Sequence, residues 1–137
     1  MTILIIDAQG GGIGRQLVLS IKQALPDVEI LAVGTNAAAT AAMLKAGASS
    51  AATGENAVVV CSRKADIIVG PIGIVIADSM LGEITPKMAF AVAQSGAKRV
   101  LIPFSHCDNA IAGAEKASTA ELVQEAVTEV QKLCGAS

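Results

Sequence analysis

The chain begins with an apolar strand, a glycine-rich turn and a helix, in that order. Residues 2–6, Thr-Ile-Leu-Ile-Ile, are typical of a buried β-strand, and residues 7–15, Asp-Ala-Gln-Gly-Gly-Gly-Ile-Gly-Arg, lead into a helical pattern. Glycines let a ligand approach the backbone closely, and the first N–H groups of a helix, together with its dipole, favour an anion. This order of elements predicts a nucleotide site, but it names no reaction.

Strand and helix patterns alternate along the rest of the chain. Further strands are predicted at residues 28–33, 66–69 and 99–102, and helices at residues 16–25, 37–46, 85–94 and 118–133. Such alternation is typical of parallel βαβ units. We therefore predict one domain, residues 1–137, with a three-layer Rossmann-like α/β fold and a mainly parallel sheet of roughly four or five strands.

Two segments are ambiguous. Thr53 as N-cap predicts a helix that continues to Lys64, whereas the β-branched residues 58–60 favour a strand. Residues 74–81 fit either a strand or a buried helix, and Gly82 just beyond them favours the helix. Residues 48–53 are predicted to be a loop, and residues 103–117 to be irregular, with a short edge strand near Ala110.

The composition limits the function classes. A net charge of −2 gives no basic surface for nucleic acid or an anionic membrane. Only 16% of the residues are charged in a chain that is 53% hydrophobic. So few charges can cover little surface, which favours a homo-oligomer, a dimer or larger, over a monomer with a small-residue core.

The same features predict a cytoplasmic protein. The start of the chain lacks the pattern of a signal peptide, and the longest apolar run, residues 67–77, is too short to span a bilayer. The chain has three cysteines, an odd number, and they are widely spaced. This spacing fits a reducing compartment better than a disulfide framework.

Polar residues and glycines are expected to converge at one edge of the sheet. Open parallel sheets bind ligands beyond the carboxyl ends of their strands. The candidate cofactor-binding residues follow the first three strands: Asp7, Gln9, Gly10, Gly11, Gly12, Ile13 and Gly14, then Thr35 and Asn36, then Gly70 and Pro71.

The glycine spacing narrows the kind of nucleotide site. A strict G-x-G-x-x-G pattern would need glycine at Arg15, and a Walker A loop would need lysine there. The turn instead resembles the phosphate loop of short-chain dehydrogenases/reductases, since Gly12-Ile13-Gly14 fits that pattern and Ala8 replaces its first glycine. The chain has no tyrosine, so the Tyr-x-x-x-Lys proton transfer of that family is excluded.

The end of the second strand lacks the carboxylate that dinucleotide sites usually place on the ribose. Residues 33–36 read Val-Gly-Thr-Asn, so Asn36 either contacts a ribose or only caps the next helix. No arginine lies beside it for a 2′-phosphate, which favours NAD or a mononucleotide over NADP. Glu83 is interpreted as a solvated turn residue.

The sole histidine lies in a second group of reactive residues, Ser105-His106-Cys107-Asp108, after the last predicted strand. His106 and Cys107 are the candidate catalytic residues, for acid–base or thiol chemistry. An ordinary loop histidine is the alternative. No C-x-x-C spacing accompanies them, so we predict no metal site.

As a whole the chain resembles a family of short bacterial proteins described only as a domain of unknown function. The resemblance includes residues 9–14, 34–36, 52–57, 70–74 and 81–86, and ends near Asn109. It implies no activity. Three hypotheses therefore remain: a protein that holds NAD or another nucleotide at the glycine turn, a small enzyme that uses His106 and Cys107 beside the nucleotide, and a non-catalytic assembly subunit.

Overall fold

The computed structural model describes residues 1–103, 109–114 and 117–135. The strands are β1 (Thr2–Asp7), β2 (Glu29–Gly34), β3 (Ser50–Thr53), β4 (Ile67–Pro71) and β5 (Lys98–Ile102). The helices are α1 (Gly12–Ala24), α2 (Ala37–Ala46), α3 (Glu55–Lys64), α4 (Pro86–Gln94) and α5 (Thr119–Leu133), with a short 3₁₀ helix at Ile72–Val75.

The strands form one five-stranded sheet in the order β3-β2-β1-β4-β5, and every pairing is parallel. The chain winds outward from β1 to β3, returns to β4 on the other side of β1, and continues to β5. The strand order therefore reverses between β1 and β4. The predicted Rossmann-like α/β class with a parallel sheet is confirmed.

Each face of the sheet carries its own apolar core. Ile3 and Ile5 of β1 pack with α1 and α5, whereas Leu4 and Ile6 point to the opposite core, which includes Val58 of α3 and residues of α4. A strand that is buried on both faces needs apolar residues without alternation. This requirement explains the uninterrupted apolar run at the start of the chain.

The helix termini follow the sequence cues. The side chain of Asn36 accepts a hydrogen bond from the N–H of Ala39 at 2.9 Å and caps α2, which ends at the left-handed Gly47. The hydroxyl of Thr85 caps α4, and Ser118 caps α5 in a capping box. No helix in the described ranges is long and apolar enough to cross a membrane.

Several local predictions are wrong. Residues 48–53, predicted to be a loop, contain edge strand β3, whose short alanine-rich sequence has low β-propensity. The helix after it is present, but its N-cap is Gly54 rather than Thr53. The edge strand expected near Ala110 reduces to one bridge residue, Asn109.

The predicted helix at residues 74–81 is also wrong. The 3₁₀ helix ends at Val75, and residues 76–84 form a series of turns, which we call the crossing loop. Met80, Leu81 and Gly82 have positive φ angles of 55°, 58° and 85°, which no right-handed helix accommodates. Met80 and Ile84 are buried, so separate apolar anchors, rather than one continuous helical face, hold this segment.

Candidate functional site

A cavity of about 280 Å³ opens at the carboxyl edge of the sheet, between the ends of β1 and β4. It is lined by residues 7–13, Gln16, Pro71 and Met80. This place is the point where the strand order reverses, and open α/β sheets bind ligands there. A larger groove of about 430 Å³ lies between β5 and α5, and its lining among the described residues includes none of the predicted cofactor-binding residues.

Two glycines of the glycine loop, residues 8–14, are required by the fold. Gly11 has a φ of 73°, and a Cβ there would lie 2.8 Å from the Cα of Ala39 in α2. A Cβ on Gly14 would lie 2.5 Å from the Sδ of Met43 and 2.9 Å from the Cβ of Asp7. Both positions allow α1 to approach its neighbours closely, so neither of them by itself indicates a ligand.

Gly10 and Gly12 have no such structural role. A Cβ at either position would have no atom within 4 Å, and neither φ lies in the left-handed range. Both residues are exposed, and both line the cavity. The absence of side chains at these two positions therefore keeps the backbone accessible from the cavity.

The backbone of the glycine loop presents two hydrogen-bond donors. The N–H of Gly11 binds the carbonyl of Ala8 at 3.0 Å, and the N–H of Arg15 binds that of Gly11 at 2.8 Å. The N–H groups of Gly12 and Ile13, at the start of the 13-residue helix α1, meet no acceptor among the described residues. Donors of this kind at a helix N-terminus suit an anionic group.

Asp7 lies beneath the loop and is 4% exposed. Its Oδ1 accepts from the N–H of Ala8 at 2.8 Å, and its Oδ2 from the N–H of Gly14 at 2.7 Å. The carboxyl group thus occupies one donor at the start of α1. An anionic ligand would have to bind further out, at Gly12 and Ile13.

Glu83 joins the ends of β1 and β2. One carboxylate oxygen, Oε1, accepts from the hydroxyl of Thr35 at 2.6 Å, from the side-chain amide of Asn36 at 2.8 Å and from the N–H of Gln9 at 2.8 Å. These bonds, with that from Thr35 contributing most, hold the pKa of Glu83 below its ordinary value, against a smaller rise caused by burial. Glu83 is therefore ionised at neutral pH. It lies in a turn and is partly exposed, as the sequence indicates, but its carboxylate is held by protein donors rather than by solvent alone.

The predicted residues after β2 serve this network. Besides capping α2, Asn36 donates from its Nδ2 to the carbonyl of Gln9 at 2.9 Å and to Glu83. The capping role predicted as one alternative for Asn36 is confirmed. Three loops are thereby tied together: the glycine loop, the start of α2 and the crossing loop.

The predicted residues after β4 separate into two roles. A Cβ on Gly70 would lie 2.5 Å from the carbonyl oxygen of Ile6, so this glycine permits the close approach of β4 to β1. Pro71 follows it and lines the cavity. His106 and Cys107, the candidate catalytic residues, lie outside the described residues.

Sequence reasoning missed Glu83, Met80 and Gln16. Met80 and Gln16 line the cavity, while Glu83 supplies a carboxylate beside the end of β2, where the local sequence has none. The missing carboxylate was itself an indication that another segment provides one. Nothing in the sequence shows that the crossing loop returns over β1, because its contacts with the glycine loop and β2 span 47 to 74 residues.

Comparison with known proteins gives a family and a fold. The family model described as Domain of unknown function (DUF3842) matches residues 2–135. Comparison with curated proteins gives no match.

Among solved structures, the chain resembles a dodecameric FMN-dependent UbiX-like decarboxylase from Escherichia coli O157:H7. The sequence identity is 17%, the alignment covers 98% of this chain and 95% of that one, and the TM-score is 0.54. A weaker likeness to apo saccharopine dehydrogenase (L-Glu forming) from Saccharomyces cerevisiae has 16% identity, covers 82% of this chain and 22% of that one, and has a TM-score of 0.49.

Proposed function

The chain belongs to the family Domain of unknown function (DUF3842), and we propose that it binds a nucleotide-type cofactor in the cavity between β1 and β4. The candidates are NAD and mononucleotides. The observation that carries the proposal is the division of the glycines: Gly11 and Gly14 are required by packing, whereas Gly10 and Gly12 are not and face the cavity.

The phosphate of the nucleotide is assigned to the outer end of the glycine loop. The N–H groups of Gly12 and Ile13 are donors without an acceptor among the described residues, and the dipole of α1 adds to their attraction for an anion. The N–H of Gly14 is already bound by Oδ2 of the buried Asp7, so the phosphate is placed further out, at Gly12 and Ile13. Asp7 therefore acts in the proposal as a cap of the loop rather than as a ligand contact.

The cofactor identity is to be determined by a panel of compounds. The fold neighbour is FMN-dependent, so the panel contains FMN beside NAD, NADP, AMP, ATP and S-adenosylmethionine. A compound that binds only the folded protein raises its stability by about 2.7 kcal/mol at a hundredfold excess over Kd. A thermal-shift screen, followed by calorimetric titration of the compounds that shift the transition, measures this effect.

Gly12→Val tests the position of the ligand. A Cβ at Gly12 meets no protein atom within 4 Å, so we expect folding to be retained and the affinity for the bound compound to fall at least about tenfold, a loss of about 1.4 kcal/mol. Gly96→Val is the matched control, because Gly96 is equally open and lies before β5, at the opposite edge of the sheet. Equal affinities of the two variants would contradict the proposal.

We further propose that the chain forms a homo-oligomer. Phe90 of α4 and Leu81 of the crossing loop are 64% and 88% exposed. Burial of large apolar side chains of this kind is a common reason for association. Native mass spectrometry gives the subunit number, and a monomer at micromolar concentration would refute this proposal.

A further inference from the structure

The two carboxylate oxygens of Glu83 differ in their hydrogen bonding. Oε1 receives all three hydrogen bonds from Gln9, Thr35 and Asn36, whereas Oε2 accepts none from the residues that the structure describes. Three donors on one atom fix the direction of the whole carboxylate. The second oxygen is thereby a positioned acceptor at the ends of β1 and β2.

This acceptor adjoins the cavity. Gln9 contacts Glu83 through its N–H and also lines the cavity, and Met80, from the same crossing loop as Glu83, lines the other side of the cavity. The open glycines, Gly10 and Gly12, therefore follow, in the glycine loop, the residue whose N–H binds Glu83. A sugar attached to a phosphate at Gly12 would have to extend back along the glycine loop, past Gly10 to Gln9, to meet this carboxylate.

The crossing loop is built to hold Glu83 in place. Met80 and Ile84 are buried on either side of it, and the buried Ser79 hydroxyl donates to the carbonyl of Gly73. The N–H of Asp78 binds the carbonyl of Ile84 at 2.7 Å and closes the loop on itself. The backbone that carries Glu83 is thus fixed by packing and hydrogen bonds on both sides of the residue.

We propose that Oε2 of Glu83 accepts hydrogen bonds from the ribose hydroxyls of the bound nucleotide and so selects an unmodified 2′-hydroxyl over a 2′-phosphate. This inference rests on the proposed function and assigns its sugar specificity. A hydroxyl donates to a carboxylate, but a 2′-phosphate brings only acceptors and negative charge. The three groups that surround Oε1 carry no charge, so they offer a 2′-phosphate no compensating cation.

A dinucleotide-binding pattern expects this carboxylate directly after β2, whereas here it comes from the crossing loop. The residues after β2 are Thr35 and Asn36, and their side chains orient Glu83 instead of meeting the sugar directly. Thr35 and Asn36 are positioning residues in this scheme. Glu83 is the residue that contacts the ligand.

Glu83→Gln is the decisive variant. The amide oxygen of glutamine can keep the bonds from Gln9, Thr35 and Asn36, while its NH₂ group replaces the acceptor at Oε2 by a donor. For the wild type we expect NAD to bind at least about tenfold more tightly than NADP, and AMP at least about tenfold more tightly than 2′-deoxy-AMP, because hydrogen bonds to charged groups have this strength. In Glu83→Gln both ratios should fall to about threefold or less.

Glu55→Gln serves as the control. Glu55 lies in the first turn of α3, beyond the carboxyl end of β3 at the same edge of the sheet, and it is exposed. The change removes the same charge without touching the Glu83 network, so both affinity ratios should remain at the wild-type value. Isothermal titration of all three proteins with NAD, NADP, AMP and 2′-deoxy-AMP provides the ratios.

The outcomes separate the inference from the proposed function. If the wild type binds neither these nucleotides nor any other compound of the panel, the nucleotide proposal fails and the sugar specificity fails with it. If it binds only FMN, which carries no ribose ring, nucleotide binding stands and the role of Glu83 is overturned. If these nucleotides bind but the ratios are near one, or are the same in Glu83→Gln as in the wild type, nucleotide binding stands and the role of Glu83 is overturned. Loss of discrimination in Glu83→Gln alone supports both.

Discussion

The glycine loop and the crossing loop meet at one edge of the sheet, yet they depend on glycine to different degrees. One of the two left-handed residues in the glycine loop is a glycine, against one of four in the crossing loop. In the glycine loop a glycine, Gly11, has the φ of 73°. In the crossing loop three residues with side chains, Asp78, Met80 and Leu81, have φ angles of 65°, 55° and 58°. The left-handed region costs such residues about 1–2 kcal/mol each, and contacts elsewhere must offset that cost.

This difference shows which residues determine the backbone conformation of each loop. The glycine loop is specified by its own residues, because glycine tolerates the turn and α1 begins directly after it. The crossing loop is specified by distant partners, namely the core around Met80 and Ile84 and the donors that bind Glu83. Gln9, the glycine-loop residue with a side chain and a positive φ of 52°, is also the one whose N–H binds Glu83.

The largest effect is expected at Gly11, where a substitution tests whether the glycine loop depends on its own residues. Gly11→Val puts a side chain on a left-handed residue and drives its Cβ to 2.8 Å from the Cα of Ala39. Strain and overpacking together should lower the free energy of unfolding by about 3 kcal/mol. Urea denaturation measures the loss.

Gly10→Val is the matched control for that change. A Cβ at Gly10 meets nothing within 4 Å, so its cost should stay at about 0.5 kcal/mol, the usual value for a surface position. A similar loss in the two variants would show that the glycine loop is not divided into packing and open positions. The distinction on which the nucleotide proposal depends would then disappear.

A smaller effect tests the crossing loop. Leu81 is 88% exposed and left-handed, so its side chain contributes little burial and adds strain. Leu81→Gly should raise the free energy of unfolding by about 0.5–1 kcal/mol, because the relief of the left-handed strain exceeds the added entropy of the unfolded chain. Thermal and urea denaturation of the purified variant give the sign.

Leu44→Gly is the control: the same change from leucine to glycine is expected to destabilise the protein at this position. Leu44 is also exposed, at 51%, but it lies in the right-handed helix α2. Glycine there should lower the free energy of unfolding by about 1 kcal/mol. If both changes destabilise the protein equally, the backbone of the crossing loop is not strained at Leu81, and the contrast between the two loops is lost.

The same contrast explains what the sequence predicted and what it did not. The strand, turn and helix at the start and the cap at Asn36 depend on neighbouring residues, and each is predicted from the sequence. The helix predicted at residues 74–81 failed because an apolar run cannot distinguish a helical face from separate buried anchors. The hydrogen bonds of Glu83 were missed for a different reason, because its partners are 47 to 74 residues away in the sequence.

The last prediction concerns the charge of Glu83, which joins the loops. The pKa of Glu83 is lowered in the folded protein, so its ionised form stabilises folding at any pH above the unfolded value of about 4.3. That stabilisation should be lost as the pH falls through the folded pKa. The network lies near the surface, where solvent screens charges. The free energy of unfolding of the wild type should therefore exceed that of Glu83→Gln at pH 7 by no more than about 1 kcal/mol.

The pH dependence shows whether charge or shape closes the crossing loop over the glycine loop. Denaturation of wild type and Glu83→Gln should give a constant difference between pH 5 and 7 and a shrinking one below about pH 4.3. A difference that persists unchanged at pH 3, about one unit below the ordinary value, would mean that the carboxylate's charge contributes nothing. The loop would then be held by the burial of Met80 and Ile84 alone, and Glu83 would be available to a ligand without any cost to the fold.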